Sequence, residues 1–185
     1  MNLESSPGPP DRPARPLVLV YTGDGKGKTS AALGQVVRAL GHGHQVLFCQ
    51  CMKRPDAAGE QRLLAALPGV DFLAGGLGFF RNEADRPRHR HAALDVLAWA
   101  ADRLRRSPCF LLVVDEALYA LDAGLVTREE LESLLTLAGE RGAHTVLTGR
   151  NCPPWLEERA DLVSEVVCRK HPYAQGIPAV EGLDF

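Results

Sequence analysis

Short apolar runs alternate along this chain with segments whose hydrophobic residues recur at helical spacing. LVLVY (17–21) is a β-branched run that stops at TGDGKGKT (22–29), which reads as a buried strand entering a glycine-rich loop. SAALGQVVRAL (30–40) then carries Leu33, Val36, Val37 and Leu40 at helical spacing and closes at Gly41. The alternation repeats with strand QVLFCQC (45–51), short helix EQRLLAAL (60–67), strand VDFLA (70–74) and the loop GGLGFFRNEADRPR (75–88). A helix from about His89 to Arg106 is expected to bury Leu94, Leu97, Ala98, Ala101 and Leu104. CFLLVVDE (109–116) is the most apolar strand, and Thr127 with Glu130 forms the capping box of a helix near Arg128 to Arg141. HTVLTG (144–149), a helical turn after Pro153 and Pro154, and LVSEVVC (162–168) complete the series. Strands separated by helices predict an α/β fold with a mainly parallel sheet and helices on both faces.

Composition narrows the function classes. The chain has 185 residues, a length suited to one domain, with 45% hydrophobic and 24% charged residues. Lys and Arg total 21 against 23 Asp and Glu, a formal charge of -2 that argues against bulk nucleic-acid or anionic-membrane binding. Of 13 prolines, five fall within residues 1–16, marking a Pro-rich N-terminal arm ahead of a domain over 17–185. Cys49, Cys51, Cys109, Cys152 and Cys168 form no CxxC pair, so a disulfide framework or zinc ribbon is not indicated, and Cys49 and Cys51 read as buried thiols. The absence of an apolar run of about 18 residues, or of a leader-like start, gives the expectation of a soluble cytosolic protein.

The strongest chemical signal is Gly23-Asp24-Gly25-Lys26-Gly27-Lys28-Thr29 between a strand and a helix. Alternating glycines let successive backbone N–H groups turn inward, and a helix N-terminus adds positive potential, so the loop suits a polyphosphate. Lys28 is placed to neutralise phosphate oxygens and Thr29 to hold Mg²⁺ (or Mn²⁺). The usual GxxxxGK[ST] pattern has glycine where this chain has Thr22. Asp115 and Glu116 end the most apolar strand, at the sheet edge where ligands of open α/β folds gather, and are the further candidate metal ligands. A generic NTPase or kinase would satisfy these features alone. The histidine pairs His42/His44 and His89/His91 read as solvated or capping groups at helix ends. Arg81, Arg86, Arg88 and Arg90 read either as a solvated loop or as an anion-recognising patch, and His171 as an anchor or a substrate contact.

The chain resembles the ATP:corrinoid adenosyltransferases of the CobA/CobO/BtuR type. The resemblance rests on TGDGKGKT (22–29), Gln50 and Lys53 with Gly59-Glu60, GFF (78–80), VVDEALYAL (113–121), LTGR (147–150), ADLVSEV (160–166) and KHPYAQGIPAVEGLDF (170–185). It implies a P-loop NTPase-like, RecA-like fold and a reaction in which a Co(I) corrinoid attacks the ribose 5′ carbon of ATP and releases triphosphate. It also implies ATP held in the reverse sense to ordinary P-loop enzymes, a homodimer, and an electron-donating reductase such as a flavoprotein. The ATP-binding set is then Gly23, Asp24, Gly25, Lys26, Gly27, Lys28, Thr29, Ser30 and Arg150, with Lys28 and Phe79 as catalytic residues. Phe79 matches a phenylalanine on a family loop understood to displace the lower axial ligand. The family's second aromatic falls at Arg81, so either Phe80 substitutes or Arg81 pairs with a corrin side-chain carboxylate or amide. A noncatalytic carrier of nucleotide or corrinoid is the reading from another class. No Ser/His/Asp or Cys/His constellation supplies a general base, and attack by Co(I) requires none.

Overall fold

Six strands pair side by side in the order β3-β2-β4-β5-β1-β6, all parallel. They are β1 (Val18–Thr22), β2 (Val46–Gln50), β3 (Val70–Ala74), β4 (Leu111–Asp115), β5 (His144–Thr148) and β6 (Leu162–Glu165). The computed structural model describes residues 15–80 and 82–184; Arg81 and most of the Pro-rich arm lie outside the described residues. Between the strands run α1 (Lys28–Gly41), α2 (Gly59–Ala66), α3 (Arg86–Arg106), α4 (Ala117–Asp122), α5 (Arg128–Glu140) and α6 (Pro154–Arg159).

The two-residue period of a strand sorts the core into two layers. Val46, Phe48, Leu111, Val113 and Val146 face α1 and α2, meeting Ala32, Val36, Ala39 and Leu64. Leu47, Cys49, Leu112, Val114 and Leu147 face the other way, against Val96, Leu97, Leu104, Leu131 and Leu135 of α3 and α5. The same alternation puts Gln50, Asp115 and Thr148, the last residues of β2, β4 and β5, on the α1/α2 side. Gln50 lies in register with Asp115. Three polar side chains therefore converge at the carboxyl edge of an apolar sheet.

Several expectations need correction. Helix α1 starts at Lys28, so its lysine and threonine belong to its first turn, and Val37 is 69% exposed because Val36 and Ala39 take the buried stripe. Helix α3 starts at Arg86, with Pro87 in its first turn, and so encloses His89 and His91. Its buried face is Ala93, Val96, Leu97, Ala100 and Leu104; Ala98 points to solvent. The small side chains of Ala93 and Ala100 set this rotation by letting the helix lie against the sheet. Arg86 pairs with Glu83 and donates to the Ala123 carbonyl, while Arg90 pairs with Glu130 and donates to Leu125. These contacts tie α3 to the α4–α5 connection. His42 caps α1, but His44 stacks on Phe110 with centroids 3.8 Å apart, and Phe110 in turn meets His144. Strand pairing of β6 stops at Glu165, short of Cys168, because the chain turns there across the glycine loop. The capping box forms as expected: Thr127 Oγ1 accepts from the Glu130 N–H, and the Glu130 carboxylate accepts from the Thr127 N–H.

Candidate active site

Asp115 is fully buried, and every side of its carboxylate is occupied. Oδ1 accepts from Thr148 Oγ1 at 2.6 Å and from Thr29 Oγ1 at 2.9 Å; Oδ2 accepts from Gln50 Nε2 at 3.0 Å and lies 3.4 Å from Lys53 Nζ. Thr148 also accepts the Glu116 N–H at 2.9 Å, which pins the strand-to-helix corner. Lys53 is held by Glu60 at 2.7 Å, and Gln61 donates to the Gln50 side-chain oxygen at 2.7 Å. Burial acts to lower the Lys53 ammonium, but the Asp115 and Glu60 carboxylates outweigh it and leave it above its ordinary range. A satisfied network of this kind orients its members. Its product is a Thr29 hydroxyl whose proton is committed to Asp115, leaving oxygen lone pairs for the cavity.

Glu116 is the complementary case. It sits in the left-handed region at φ 60, a conformation uncommon outside glycine and asparagine, and its carboxyl accepts no hydrogen bond among the described residues. Burial, then the neighbouring Asp115, pushes this carboxyl above its ordinary range against the opposing Lys53, Lys28 and Arg150. A hard oxygen donor pair, the Thr29 hydroxyl and the Glu116 carboxylate, thus faces one space and fits Mg²⁺. Asp115, by contrast, is already surrounded by four protein donors, Thr29 among them.

That space is a cavity of about 500 Å³ lined by Lys26, Gly27, Lys28, Thr29, Ser30, Leu33, Lys53, Gly59, Glu60 and Glu116, with Gly182, Leu183 and Asp184 from the C-terminal segment. Lys28 Nζ reaches back to the Gly23 and Gly25 carbonyls at 2.6 and 2.8 Å. Burial, the dominant influence, draws its ammonium below the ordinary range. Lys26 pairs with Asp184. The glycines have a second reason: a Cβ at Gly23 or Gly25 would stand 2.6 or 2.7 Å from the Val166 carbonyl oxygen. Gly25 spends its N–H on that same oxygen at 2.7 Å, so it is not among the inward-facing donors. Gly23 and Asp24 line a separate groove with Asn151 and Glu165, and Arg150 lies 3.8 Å from Asp24, outside the cavity. The phosphate-type cavity therefore collects Lys26 to Ser30 but not the whole expected set.

A second cavity of about 430 Å³ adjoins the first through shared Lys53 and Glu116, and is lined also by Met52, Arg54, Ala57, Gly78, Phe79 and Tyr119. The loop after β3 is stitched to the loop after β2 by Gly76 N–H to Lys53 O at 3.0 Å and Gly78 N–H to Met52 O at 2.8 Å. Gly76 permits this approach, since a Cβ there would fall 2.3 Å from the Met52 carbonyl carbon. Phe79 projects, 74% exposed, with its ring edge-on to Tyr119. Phe80 turns the other way, under the Arg86 guanidinium and against His89, and packs on the core. Of the two phenylalanines only Phe79 lines the cavity; Arg81 falls outside the described residues.

Lys53, Glu60, Gln61, Thr148 and Tyr119 are site residues for which the sequence reading assigned no role. The available signal was Gln50, a buried polar residue closing an apolar strand. His171 accepts the Tyr173 N–H through Nδ1 and so anchors a 3₁₀ turn. Burial raises the Cys51 thiol to about 12, as fits an inert core group.

The family profile described as ATP:corrinoid adenosyltransferase BtuR/CobO/CobP matches residues 14–185. A corrinoid adenosyltransferase from Pseudomonas aeruginosa is 37% identical over 94% of this chain and 86% of its own length. One from Escherichia coli is 33% identical, and the corrinoid adenosyltransferase CobA of Salmonella typhimurium 34% identical, each over 92% of this chain and 86% of its own length. A solved KaiC-like protein from Pyrococcus horikoshii superposes with a TM-score of 0.56 at 20% identity, covering 83% of this chain and 73% of that one, which supports the RecA-like fold. Together with the glycine loop, the Thr29–Asp115–Glu116 corner and the adjoining Phe79 cavity, the match over nearly the whole length means that this chain belongs to the ATP:corrinoid adenosyltransferase family.

Proposed function

We propose that this protein transfers the 5′-deoxyadenosyl group of ATP to the Co(I) of a corrinoid and releases triphosphate. The observation that carries the reading is the junction of two unlike cavities, one loop-lined and bearing Lys26, Lys28 and Lys53, the other carrying Phe79 and Tyr119, at Lys53 and Glu116. A reaction joining a triphosphate ester to a large planar cofactor needs such a junction. The cobalt electron pair attacks C5′ of the ribose, the C5′–O bond breaks, and its electron pair leaves on the triphosphate. No proton moves in that step, so the carboxylates of the site are not required to act as a base.

The protein's task is to stabilise the departing anion. Lys28 exchanges its contacts to the Gly23 and Gly25 carbonyls for phosphate oxygens, and Lys26 exchanges Asp184 for the same ligand. Thr29 and Glu116 would hold Mg²⁺, whose contribution there is neutralisation of triphosphate charge. Phe79 bears on the corrinoid, at the position where the family's axial-ligand-displacing phenylalanine stands. A homodimer and a flavoprotein-type electron donor belong to the same reading and rest on the resemblance, while a cytosolic setting goes with the cysteine pattern. No described helix is long and apolar enough to cross a membrane.

Product identity tests the proposal. With MgATP and a chemically reduced corrinoid, triphosphate and an adenosylated corrinoid should appear together. ADP and phosphate as sole products would instead favour a kinase or NTPase, and tight binding of both ligands without a cobalt–carbon bond would indicate a carrier.

A further inference from the structure

Arg54 follows Lys53 in the loop after β2, yet the two cations are treated oppositely. Lys53 is neutralised by Glu60 and Asp115. Arg86, Arg90 and Arg150 likewise each have a carboxylate partner. Arg54 forms no ion pair with a described carboxylate; the one described hydrogen bond of its side chain runs from Nε to the Leu77 carbonyl at 2.9 Å. That bond lays the guanidinium along the Phe79 loop, where a Cβ on Gly78 would stand 3.0 Å from Nε and 3.6 Å from Nη2. Met52, Ala57, Phe79 and Tyr119 line the cavity beyond, with Lys53 and Glu116 where it meets the first. With Nε anchored, the remaining guanidinium N–H groups form a fixed fork of donors at the rim of that cavity.

A corrin ring carries acetate and propionate side chains around its edge, either as free carboxylates or as amides. A planar guanidinium binds a carboxylate through paired charge-assisted bonds and an amide only through its single carbonyl oxygen. On the adenosyl-transfer reading above, we infer that Arg54 is a specificity-determining residue: its guanidinium at the rim of the Phe79 cavity recognises a peripheral carboxylate of the corrinoid. The enzyme accordingly favours acid-bearing corrinoids over fully amidated ones. Because the guanidinium is exposed to solvent, the preference is set at the lower end for charge-assisted bonds, about tenfold in kcat/KM.

The test compares cob(I)yrinic acid a,c-diamide with the fully amidated form of the same ring, using MgATP and chemical reduction. Wild type should prefer the acid-bearing ring about tenfold, Arg54→Ala should bring the ratio close to one, and Arg54→Lys should keep part of it. Raising the salt concentration should also lower the wild-type ratio, a readout that needs no variant to fold. If Arg54 only braces the loop, Arg54→Ala slows both substrates equally and leaves the ratio intact, which overturns the inference. A wild-type ratio near one, or one indifferent to salt, overturns it as well. Failure of wild type to adenosylate either ring would be a different result, since it would overturn the adenosyl-transfer reading and the inference with it.

Discussion

Lys28 and Asp115 are both buried at the mouth of the sheet, and their surroundings assign them different work. Lys28 donates to two carbonyls of its own loop, partners that a phosphate can replace, and its ammonium is already disfavoured by burial. An incoming polyphosphate is thus a better partner than the one it has. Lys28→Ala should lower adenosyl transfer by about 10²- to 10³-fold, the usual cost of deleting one charge-assisted donor to a developing anion, with the circular dichroism spectrum unchanged. Near-normal turnover would mean that the loop does not hold the triphosphate. Asp115 has its donors fixed in place. Asp115→Ala strands Thr148, Gln50 and part of the Lys53 charge, and should cost on the order of 3 kcal/mol of folding stability in denaturant titrations. A variant with wild-type stability but no activity would make Asp115 a direct ligand instead of an organiser of Thr29.

Elements whose signals are local could be read from the sequence. The β1–loop–α1 unit follows from an apolar run meeting GKT, and the α5 start from Thr127 and Glu130, because strand burial and capping involve neighbours in the chain. The face of α3 could not be read in the same way. Leu94, Leu97, Ala98, Ala101 and Leu104 make one apolar stripe, while Ala93, Val96, Leu97, Ala100 and Leu104 make an overlapping one, and only the sheet chooses between them. Lys28, Thr29 and Phe79 were recognisable by motif or resemblance. The role of Lys53 was not, because it depends on Gln50 standing in register with Asp115 across two strands. The same dependence on packing governs the loop that bears Phe79. Since Gly76 touches the Met52 backbone, Gly76→Ala must push the two loops apart, an overpacking change of about 1–3 kcal/mol. It should impair corrinoid turnover much as Phe79→Ala does, while both variants retain ATP binding in calorimetry. Equal loss of ATP binding in either variant would show that the two cavities are not separable.

At the scale of the whole molecule, the fold holds unfavourable electrostatics at one edge of an otherwise apolar sheet. The Glu116 carboxyl is desolvated beside Asp115 and carries a raised folded-state pKa. Its contribution to stability is therefore full below the ordinary value of 4.5 and is lost as pH rises through the folded value. Asp161, held by Arg15, and Glu130, held by Arg90, carry lowered values, so their contributions are present above the ordinary carboxylate range and are lost as pH falls through the folded values. The wild-type curve sums these opposing trends, and Glu116→Gln removes only the first. Thermal melts of the free protein should therefore find Glu116→Gln gaining on wild type as pH climbs above about 4.5. MgATP should reverse the order, because an ionised Glu116 that is costly in the empty site becomes a ligand when the site is filled. At a hundred times Kd, a bound ligand adds about 2.7 kcal/mol, and this gain should grow with pH in wild type and stay flat in the variant. Parallel melting curves for the two proteins, with and without MgATP, would remove Glu116 from the metal site. The predicted divergence would mean that the edge least favourable to the empty fold is the one its substrate stabilises.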